Sequence, residues 1–225
     1  MAQTSFPDIT GEPSIPRILA VANQKGGVGK TTTTINLATA LCAVGKKVLL
    51  VDLDPQGNAS TGLGIKRAEI FDSTYDVLFG ETHVANAVMA TKVPRLSIIP
   101  SSIHLSGAEI ELVPLERREY KLSEALRQPL PFDYIMIDCP PSLSLLTLNA
   151  LVAADSIVVP LQCEFYALEG LSHLVKTIER IKKHFNPRLD IHGVLLTMFD
   201  KRNNLSGMVA NDVREYFGEK VYRTV

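Results

Sequence analysis

The residues with the clearest chemical potential form one short loop, Lys25-Gly26-Gly27-Val28-Gly29-Lys30-Thr31-Thr32. Its glycines let the backbone turn so that successive N–H groups point at phosphate oxygens, and Lys30 adds a positive charge beside them. The Thr31 hydroxyl is suited to ligate Mg²⁺, and a helix that begins near Lys30 directs the positive end of its dipole at the same anion. The whole loop therefore predicts a binding site for a nucleoside triphosphate with Mg²⁺.

Two carboxylates follow the next apolar segment. Asp52 and Asp54 are two residues apart, so in a strand their side chains lie on the same side, and Pro55-Gln56-Gly57-Asn58 then turns the chain away. In isolation this pattern also fits a strand-end turn with solvated acids. Beside a phosphate loop, it indicates carboxylates close to the reacting phosphate.

A third acid ends another apolar run. Four residues, Tyr134-Ile135-Met136-Ile137, lead into Asp138, and Cys139-Pro140-Pro141-Ser142 follows. A carboxylate in this position holds Mg²⁺ through water in many phosphate-transferring proteins. Because apolar strands often end in aspartate, a structural turn explains the segment equally well by itself, and the order of the three motifs favours the metal site.

Short runs rich in Val, Ile and Leu alternate with segments of helical spacing, which predicts an α/β fold with a mostly parallel, twisted sheet and helices on both faces. With a phosphate loop after the first strand, the predicted fold resembles that of P-loop NTPases. Strands are predicted at residues 17–23, 47–53, 96–100, 133–138, 155–161 and 191–199, and helices at 31–44, 115–127, 143–153, 168–185 and 205–217. Gly45 fits a left-handed cap after the first helix, and Pro187 fits the end of the fourth.

Polar, turn-rich residues follow four of the predicted strands: Gln24 onward, 52–58, 138–142 and 162–166. In a parallel sheet, ligands bind at the carboxyl ends of the strands, so these four segments are expected to converge on one site. The stretch 70–91 has no clear periodicity, and we expect helices and loops that cover an edge of the sheet.

The composition fits one compact domain. The chain has 225 residues, 46% of them hydrophobic, and its 23 Lys and Arg against 24 Asp and Glu give a formal net charge of −1. Any contact with nucleic acid must then come from a local patch. Three widely spaced cysteines, Cys42, Cys139 and Cys163, favour buried, reduced thiols in a cytosolic protein, and no apolar run approaches the length of about 18 residues that a membrane span requires.

Both ends of the chain have their own character. Residues 1–16 contain three prolines among small polar and acidic residues, which predicts a mobile N-terminal tail before a single domain at 17–225. The last four residues, Tyr222-Arg223-Thr224-Val225, resemble the beginning of another buried strand. We therefore expect a domain that is truncated at its C-terminus.

The phosphate loop departs from the usual pattern, since Gln24 replaces the expected glycine and an additional lysine, Lys25, follows it. In this form KGGVGKTT resembles the deviant Walker A motif of the ParA/MinD superfamily. The resemblance implies that Lys25 reaches across a dimer interface to the nucleotide of the partner. An ordinary P-loop, with Lys25 acting within its own chain, is the alternative.

Further segments strengthen the resemblance and imply roles. VDLDPQGNAS resembles the switch I segment of ParA/Soj proteins, which implies that Asp54 orients the attacking water and that Asp52 supports it. The segment around Asp138 resembles the Walker B strand. PLQCEFY resembles a segment beside the dimer interface, which implies that Glu164 reaches the partner's ribose, although a plain strand-to-helix loop explains it almost as well.

The segment LTMFDKRNNL resembles a stretch of chromosomal ParA proteins in which the arginine binds DNA non-specifically, and this implies a DNA contact for Arg202. Four further basic residues would widen that patch or merely solvate helix faces: Lys201, Arg180, Lys182 and Lys183.

The chain is thus similar to ParA/Soj-type partitioning ATPases. The resemblance implies a cytoplasmic, nucleoid-associated ATPase that uses ATP and Mg²⁺, with Lys25, Lys30 and Asp54 as catalytic residues. It also implies an ATP-bound homodimer, non-specific binding to double-stranded DNA, and a ParB-type partner that stimulates hydrolysis. The alternatives are a MinD-like ATPase that binds membrane through a C-terminal amphipathic helix, and a metabolic or metal-cluster protein with the same loop.

Overall fold

The computed structural model describes residues 14–165 and 167–224. The strands of this part are β1 Arg17–Val21, β2 Val48–Asp52, β3 Met89–Ala90, β4 Leu96–Ile99, β5 Tyr134–Asp138, β6 Ser156–Gln162 and β7 Asp190–Thr197. The helices are α1 Lys30–Ala43, α2 Asn58–Gly62, α3 Thr74–Phe79, α4 Val84–Ala87, α5 Leu105–Leu112, α6 Lys121–Leu126, α7 Leu145–Ala153, α8 Ala167–His184 and α9 Asn204–Phe217. Two short 3₁₀ turns, Arg67–Glu69 and Gly218–Lys220, complete the secondary structure.

The strands form one sheet in the order β3-β4-β2-β5-β1-β6-β7. Every neighbouring pair is parallel except β3 with β4, where Met89 pairs with Ile98 in antiparallel register. The predicted mostly parallel sheet is confirmed, and all six predicted strands are present. The sequence did not predict β3, because two residues are too short to show a period.

Alternate residues of each strand face opposite layers of helices. Ile18 and Ala20 of β1 belong to a core shared with α3 to α9, whereas Leu19 and Val21 pack in a second core with α1 and α2. This arrangement confirms helices on both faces. It also explains why the strands read as continuous apolar runs, since a parallel strand between two helical layers has no solvent face.

The end of α1 follows the predicted cap. Gly45 has φ of 90°, its N–H donates to the Cys42 carbonyl at 2.9 Å, and the Lys46 N–H donates to the Leu41 carbonyl at 3.0 Å. This pair of bonds is a Schellman motif, which satisfies carbonyls that the helix leaves unpaired. The left-handed cap at Gly45 is confirmed.

Two departures from the predicted boundaries have a clear cause in the backbone. The helix expected at 115–127 begins only at Lys121, and a separate helix, α5, precedes it. Arg117, with φ of 52°, turns the chain between them, and its guanidinium lies over the Tyr120 ring. The last strand ends at Thr197 instead of residue 199, because Met198 has φ of 53° and cannot continue the ladder.

The chain ends lie partly outside the described residues. Of the predicted tail, 1–13 are not described, whereas Ser14 exchanges two backbone hydrogen bonds with Leu130, at 3.2 and 2.9 Å, and Pro16 is buried. Of the strand expected at 222–225, the Tyr222 N–H donates to Val194 of β7 at 3.0 Å, and Val225 is not described. The three cysteines are buried free thiols, as predicted.

Within the described part, no helix combines the length and the apolar character that crossing a bilayer would need.

Two glycine substitutions should change stability in opposite directions. Gly45→Ala should lower the free energy of unfolding by about 1 kcal/mol, because an L side chain is strained at positive φ. Moreover, its Cβ would lie 3.2 Å from the Arg95 guanidinium. Gly207→Ala, inside α9 with no atom within 4 Å of the added Cβ, should raise it by about 0.5–1 kcal/mol. Urea denaturation measures both, and an equal loss in the two variants would contradict this account.

Candidate nucleotide-binding site

The four polar segments predicted to converge do meet at the carboxyl edge of the sheet. Strands β2, β5, β1 and β6 are adjacent and parallel, so the loops that follow them share one edge. Contacts join these loops directly: Lys25 forms an ion pair with Glu164, and a Cβ at Gly26 would lie 3.8 Å from Pro141. Tyr166, the last residue of the predicted set, is outside the described residues.

The loop between β1 and α1 has the backbone shape that phosphate binding requires. Gly27 and Gly29 have φ of 74° and 88°, which residues with a Cβ rarely adopt. A Cβ at Gly27 would meet no atom within 4 Å, so the loop opens onto free space there. From the opposite wall, the Thr197 hydroxyl at the end of β7 donates to the Val28 carbonyl at 2.9 Å and fixes the loop.

Lys30 lies across the opening of this loop. Its ammonium donates to the Lys25 carbonyl at 2.9 Å, and only 6% of the residue is exposed. Burial lowers the pKa of Lys30, and the carboxylates of Asp138 and Asp54 oppose that shift. A buried ammonium whose acceptor is one neutral carbonyl forms stronger hydrogen bonds when charged phosphate oxygens enter the loop.

Asp138 has the features of a magnesium site. It is fully buried, and its Oδ1 accepts a hydrogen bond from the Thr34 hydroxyl at 3.0 Å. Burial raises the pKa of Asp138 to about 6 against the lowering effect of the Thr34 and Thr31 hydroxyls. In the described structure its Oδ2 is buried without a hydrogen-bond partner. An orphaned carboxylate oxygen beside a threonine hydroxyl fits Mg²⁺, which prefers hard oxygen ligands.

Asp52 stands directly opposite Asp138 in the register of β2 and β5 but has different partners. Its Oδ2 accepts hydrogen bonds from the Ser60 N–H at 2.8 Å and the Ser60 hydroxyl at 2.6 Å, and its Oδ1 accepts from the Asp54 N–H at 3.3 Å. Burial raises the pKa of Asp52 to about 7, although the Ser60 bonds act in the opposite direction. Both oxygens of this carboxyl group therefore hold the backbone N–H groups of neighbouring residues, Asp54 and Ser60.

Asp54 follows β2 at the same carboxyl edge of the sheet. It is 6% exposed, and its Oδ1 accepts from the Gln56 N–H at 2.9 Å, which forms an Asx turn. Its charge opposes the lowering of the pKa of Lys30 and contributes to the raised pKa of Asp138. A carboxylate oxygen accepts hydrogen bonds, so this group is suited to orient a water molecule.

Lys25 and Glu164 pair within one chain in this structure. The Lys25 ammonium contacts the Glu164 carboxylate, and 49% and 30% of the two side chains are exposed. The family resemblance implies that each of them reaches a partner's nucleotide, and this stays a prediction. Both residues lie at the carboxyl edge of the sheet with partly exposed side chains.

Arg202 lies in the loop between β7 and α9, at the same carboxyl edge. Its side chain is 91% exposed and bonds to the Asp200 carboxylate through Nε at 3.0 Å and Nη2 at 2.9 Å. Of the four basic residues that could widen a patch around it, Lys201 is adjacent, whereas Arg180, Lys182 and Lys183 lie near the end of α8, which approaches the opposite edge, where β7 begins. For these three, the position favours the alternative interpretation as solvated residues of a helix face.

Sequence patterns missed several residues of the site. Four hydroxyl side chains contact its loops or carboxylates: Thr34, Ser60, Ser101 and Thr197. Single serines and threonines are common, and each of these reaches its partner only through the fold. Ser60 and Thr197 do lie in segments that carry the family resemblance, whereas Thr34 and Ser101 are marked only by their position one turn into a predicted helix and just after a predicted strand.

Comparison with known proteins places this geometry in context. Residues 16–191 match a family model described as an AAA domain. Over 93% of its length, the chain is 59% identical to the chromosome partitioning protein ParA of Caulobacter vibrioides and 55% identical to the sporulation initiation inhibitor protein Soj of Bacillus subtilis, covering 79% and 83% of those proteins. A solved structure is also similar: the crystal structure of a cobyrinic acid a,c-diamide synthase from Mycobacterium smegmatis, with a bound ATP analogue and magnesium. The two chains are 42% identical in sequence with a TM-score of 0.85, and the alignment covers 91% of this chain and 84% of that one.

The position of Lys30 predicts loss of ATP affinity without loss of stability. Lys30→Ala should weaken ATP binding at least about a hundredfold, because a desolvated ammonium contact with phosphate is worth about 3 kcal/mol. The free energy of unfolding should not fall, since burial already disfavours the charged lysine. Calorimetric titration and denaturation measure the two quantities. Lys46→Ala, at an exposed lysine, is the control, and retained ATP affinity in Lys30→Ala would refute the role of the loop.

Proposed function

The chain belongs to the ParA/Soj family of partitioning ATPases, and from that premise we propose that it is a nucleotide-gated DNA-binding switch in chromosome or plasmid segregation. As a member of this family it is an ATPase that uses ATP and Mg²⁺. One observation supports the switch above all. Residues for phosphate binding, water orientation and DNA contact, namely Lys30, Asp54 and Arg202, lie at one edge of the sheet.

Nucleotide binding uses the loop from Lys25 to Thr32. Its N–H groups and the Lys30 ammonium hold the phosphates, and the purpose of the left-handed glycines is to aim those N–H groups. The Thr31 hydroxyl and, through water, Asp138 hold Mg²⁺. When bound, Mg²⁺ neutralises negative charge on the phosphate oxygens.

Hydrolysis relies on positioning. Phosphoryl transfer requires little covalent work from the protein, so rate comes from an aligned water and from stabilised charge. Asp54 accepts a hydrogen bond from the attacking water and orients it in line with the bond to be broken. Lys25 and Lys30 stabilise the charge that develops on the phosphate oxygens.

ATP binding then closes two chains face to face, and Lys25 crosses to the partner's nucleotide while Glu164 approaches its ribose. The pair that these residues form within one chain is partly exposed, and such pairs contribute about 0–1 kcal/mol. Breaking the pair with Glu164 so that Lys25 can bind a phosphate therefore costs little free energy. This low cost supports a lysine that changes partners, although action within one chain needs no exchange at all.

The ATP-bound dimer presents Arg202 from both chains to the DNA backbone. The Arg202 guanidinium contacts Asp200 through Nε and Nη2, and this contact raises the pKa of Arg202, so it remains charged. Hydrolysis dissolves the dimer and releases DNA, and a ParB-type centromere-binding partner accelerates that step. The protein would then work in the cytoplasm, on the nucleoid.

Two other functions compete with this proposal. A metabolic role is suggested by the name of the solved relative from Mycobacterium smegmatis, but the chain is more similar to the partitioning proteins, at 59% and 55% identity against 42%. A MinD-like ATPase would bind membrane instead of DNA. Binding assays with both surfaces separate these classes.

The proposal predicts DNA binding only with ATP. Binding to a duplex of arbitrary sequence at fixed salt should be tight with ATP and weak with ADP or no nucleotide, because only the dimer joins two DNA-contacting loops. Binding in no nucleotide state, with intact ATPase activity, would contradict the DNA switch. Binding to anionic vesicles instead would favour the MinD-like function.

A matched pair of charge reversals tests Arg202 in the same assay. Arg202→Glu should weaken DNA binding about tenfold or more and reduce its salt dependence, while ATP binding is unchanged. Arg188→Glu reverses the same charge on an exposed residue just before the opposite end of β7 and should bind DNA like the native protein. Equal effects of the two reversals would remove Arg202 from the contact.

Asp54→Ala should separate assembly from turnover. The variant should retain ATP binding and ATP-dependent dimers, while kcat falls at least about a hundredfold, because the attacking water loses its acceptor. Light scattering and phosphate release measure the two properties. The control is Asp212→Ala on the exposed face of α9, and normal turnover in Asp54→Ala would exclude Asp54 from catalysis.

A further inference from the structure

A buried hydroxyl group connects Asp54 to the neighbouring strand. Ser101 follows the end of β4, which lies beside β2 in the sheet, and it is 4% exposed. Its hydroxyl donates to the Asp54 carbonyl at 2.6 Å, and its Cβ would lie 3.8 Å from a Cβ added at Gly57. Ser101 therefore contacts both ends of the turn that carries Asp54.

This contact closes a ring of hydrogen bonds. The Ser101 N–H donates to the Ser60 hydroxyl at 3.0 Å, and that hydroxyl donates to Asp52 at 2.6 Å. Asp52 in turn accepts from the Asp54 N–H at 3.3 Å. The backbone of Asp54 is thus held at its N–H from β2 and at its carbonyl from β4.

The Asp54 carbonyl does not need the Ser101 hydroxyl in order to be hydrogen-bonded. The Asp54 carbonyl already accepts the Gly57 N–H at 2.9 Å, which closes the turn, so this carbonyl would be paired without Ser101. The additional bond fixes where the turn lies relative to the sheet. The Asp54 carboxylate follows that placement, because its Oδ1 is tied to Gln56 within the same turn.

We propose that Ser101 is a positioning residue for ATP hydrolysis, which acts through Asp54 by anchoring the catalytic turn to β4. The inference rests on the proposed function in one respect, since it takes Asp54 as the residue that orients water. Ser101 itself touches neither phosphate nor water in this scheme. A small displacement of an orienting carboxylate lowers the rate of the chemical step while nucleotide binding stays intact.

Ser101→Ala should lower kcat about tenfold and leave the KM for ATP unchanged within about twofold. Ser102→Ala is the matched control, since the Ser102 hydroxyl lies one residue further along and contacts Ser73 at 3.0 Å. The control should turn over like the native protein. Wild-type kcat in Ser101→Ala, or a rise in KM that matches the fall in kcat, would overturn the proposal.

Two further variants separate positioning from a general structural effect. Ser101→Thr keeps the hydroxyl and should restore most of the lost kcat. Ser101→Cys fills the same volume with a weaker donor and should give an intermediate kcat, which keeps the test available where Ser101→Ala is unstable. A Cys variant with the native kcat would show that the hydrogen bond is irrelevant.

A double-mutant cycle tests whether Ser101 acts through Asp54. It also separates a failure of this inference from a failure of the proposed function. In the Asp54→Ala background, Ser101→Ala should cause no further loss of residual turnover. An additional tenfold loss would overturn action through Asp54. If Asp54→Ala hydrolyses ATP normally, the proposed function fails at Asp54; if Asp54→Ala is inactive and Ser101→Ala is normal, only the present inference fails.

Discussion

Two buried carboxyl groups side by side are the constraint on which the rest of the site depends. Asp52 and Asp138 end adjacent parallel strands in direct register, and neither is exposed. Burying ionisable groups is costly unless hydrogen bonds or opposite charges compensate for the lost water. Ser60, Thr34, Thr31 and Lys30 surround them and provide that compensation.

The compensation is unequal, and the difference separates two roles. Asp52 has partners for both oxygens, so its environment is complete and its function is to hold the chain around it. Asp138 has one buried oxygen without a hydrogen-bond partner among the described residues. Such a group is stable only if something else supplies the missing interaction, which for a carboxylate beside a phosphate loop is a hydrated cation. An incomplete environment is therefore the structural sign of a binding site here.

The exposed charges behave differently from the buried ones. Lys25 with Glu164, and Arg202 with Asp200, are pairs at the surface, where water screens the attraction and each pair contributes little to stability. Weak pairs are easily exchanged for phosphate oxygens of a nucleotide or of DNA. The chain thus keeps rigid, buried contacts around the reacting centre and exchangeable contacts where partners would approach, which is the division that a switch requires.

The sequence by itself determined the elements and the three motifs, because strand periodicity, glycine turns and strand-end acids are local properties of the chain. It failed where local signals are weak: Arg117 interrupts a stretch of helical spacing, and β3 has only two residues. Only the tertiary structure decided which hydroxyl groups serve the site. Thr197 meets Val28 across 169 residues of sequence, and Ser101 meets Asp54 across 47, because the parallel strands of one sheet bring distant loops to the same edge. A hydrogen bond between distant residues has no period or spacing, so hydrophobic patterns and glycine turns do not identify its partners.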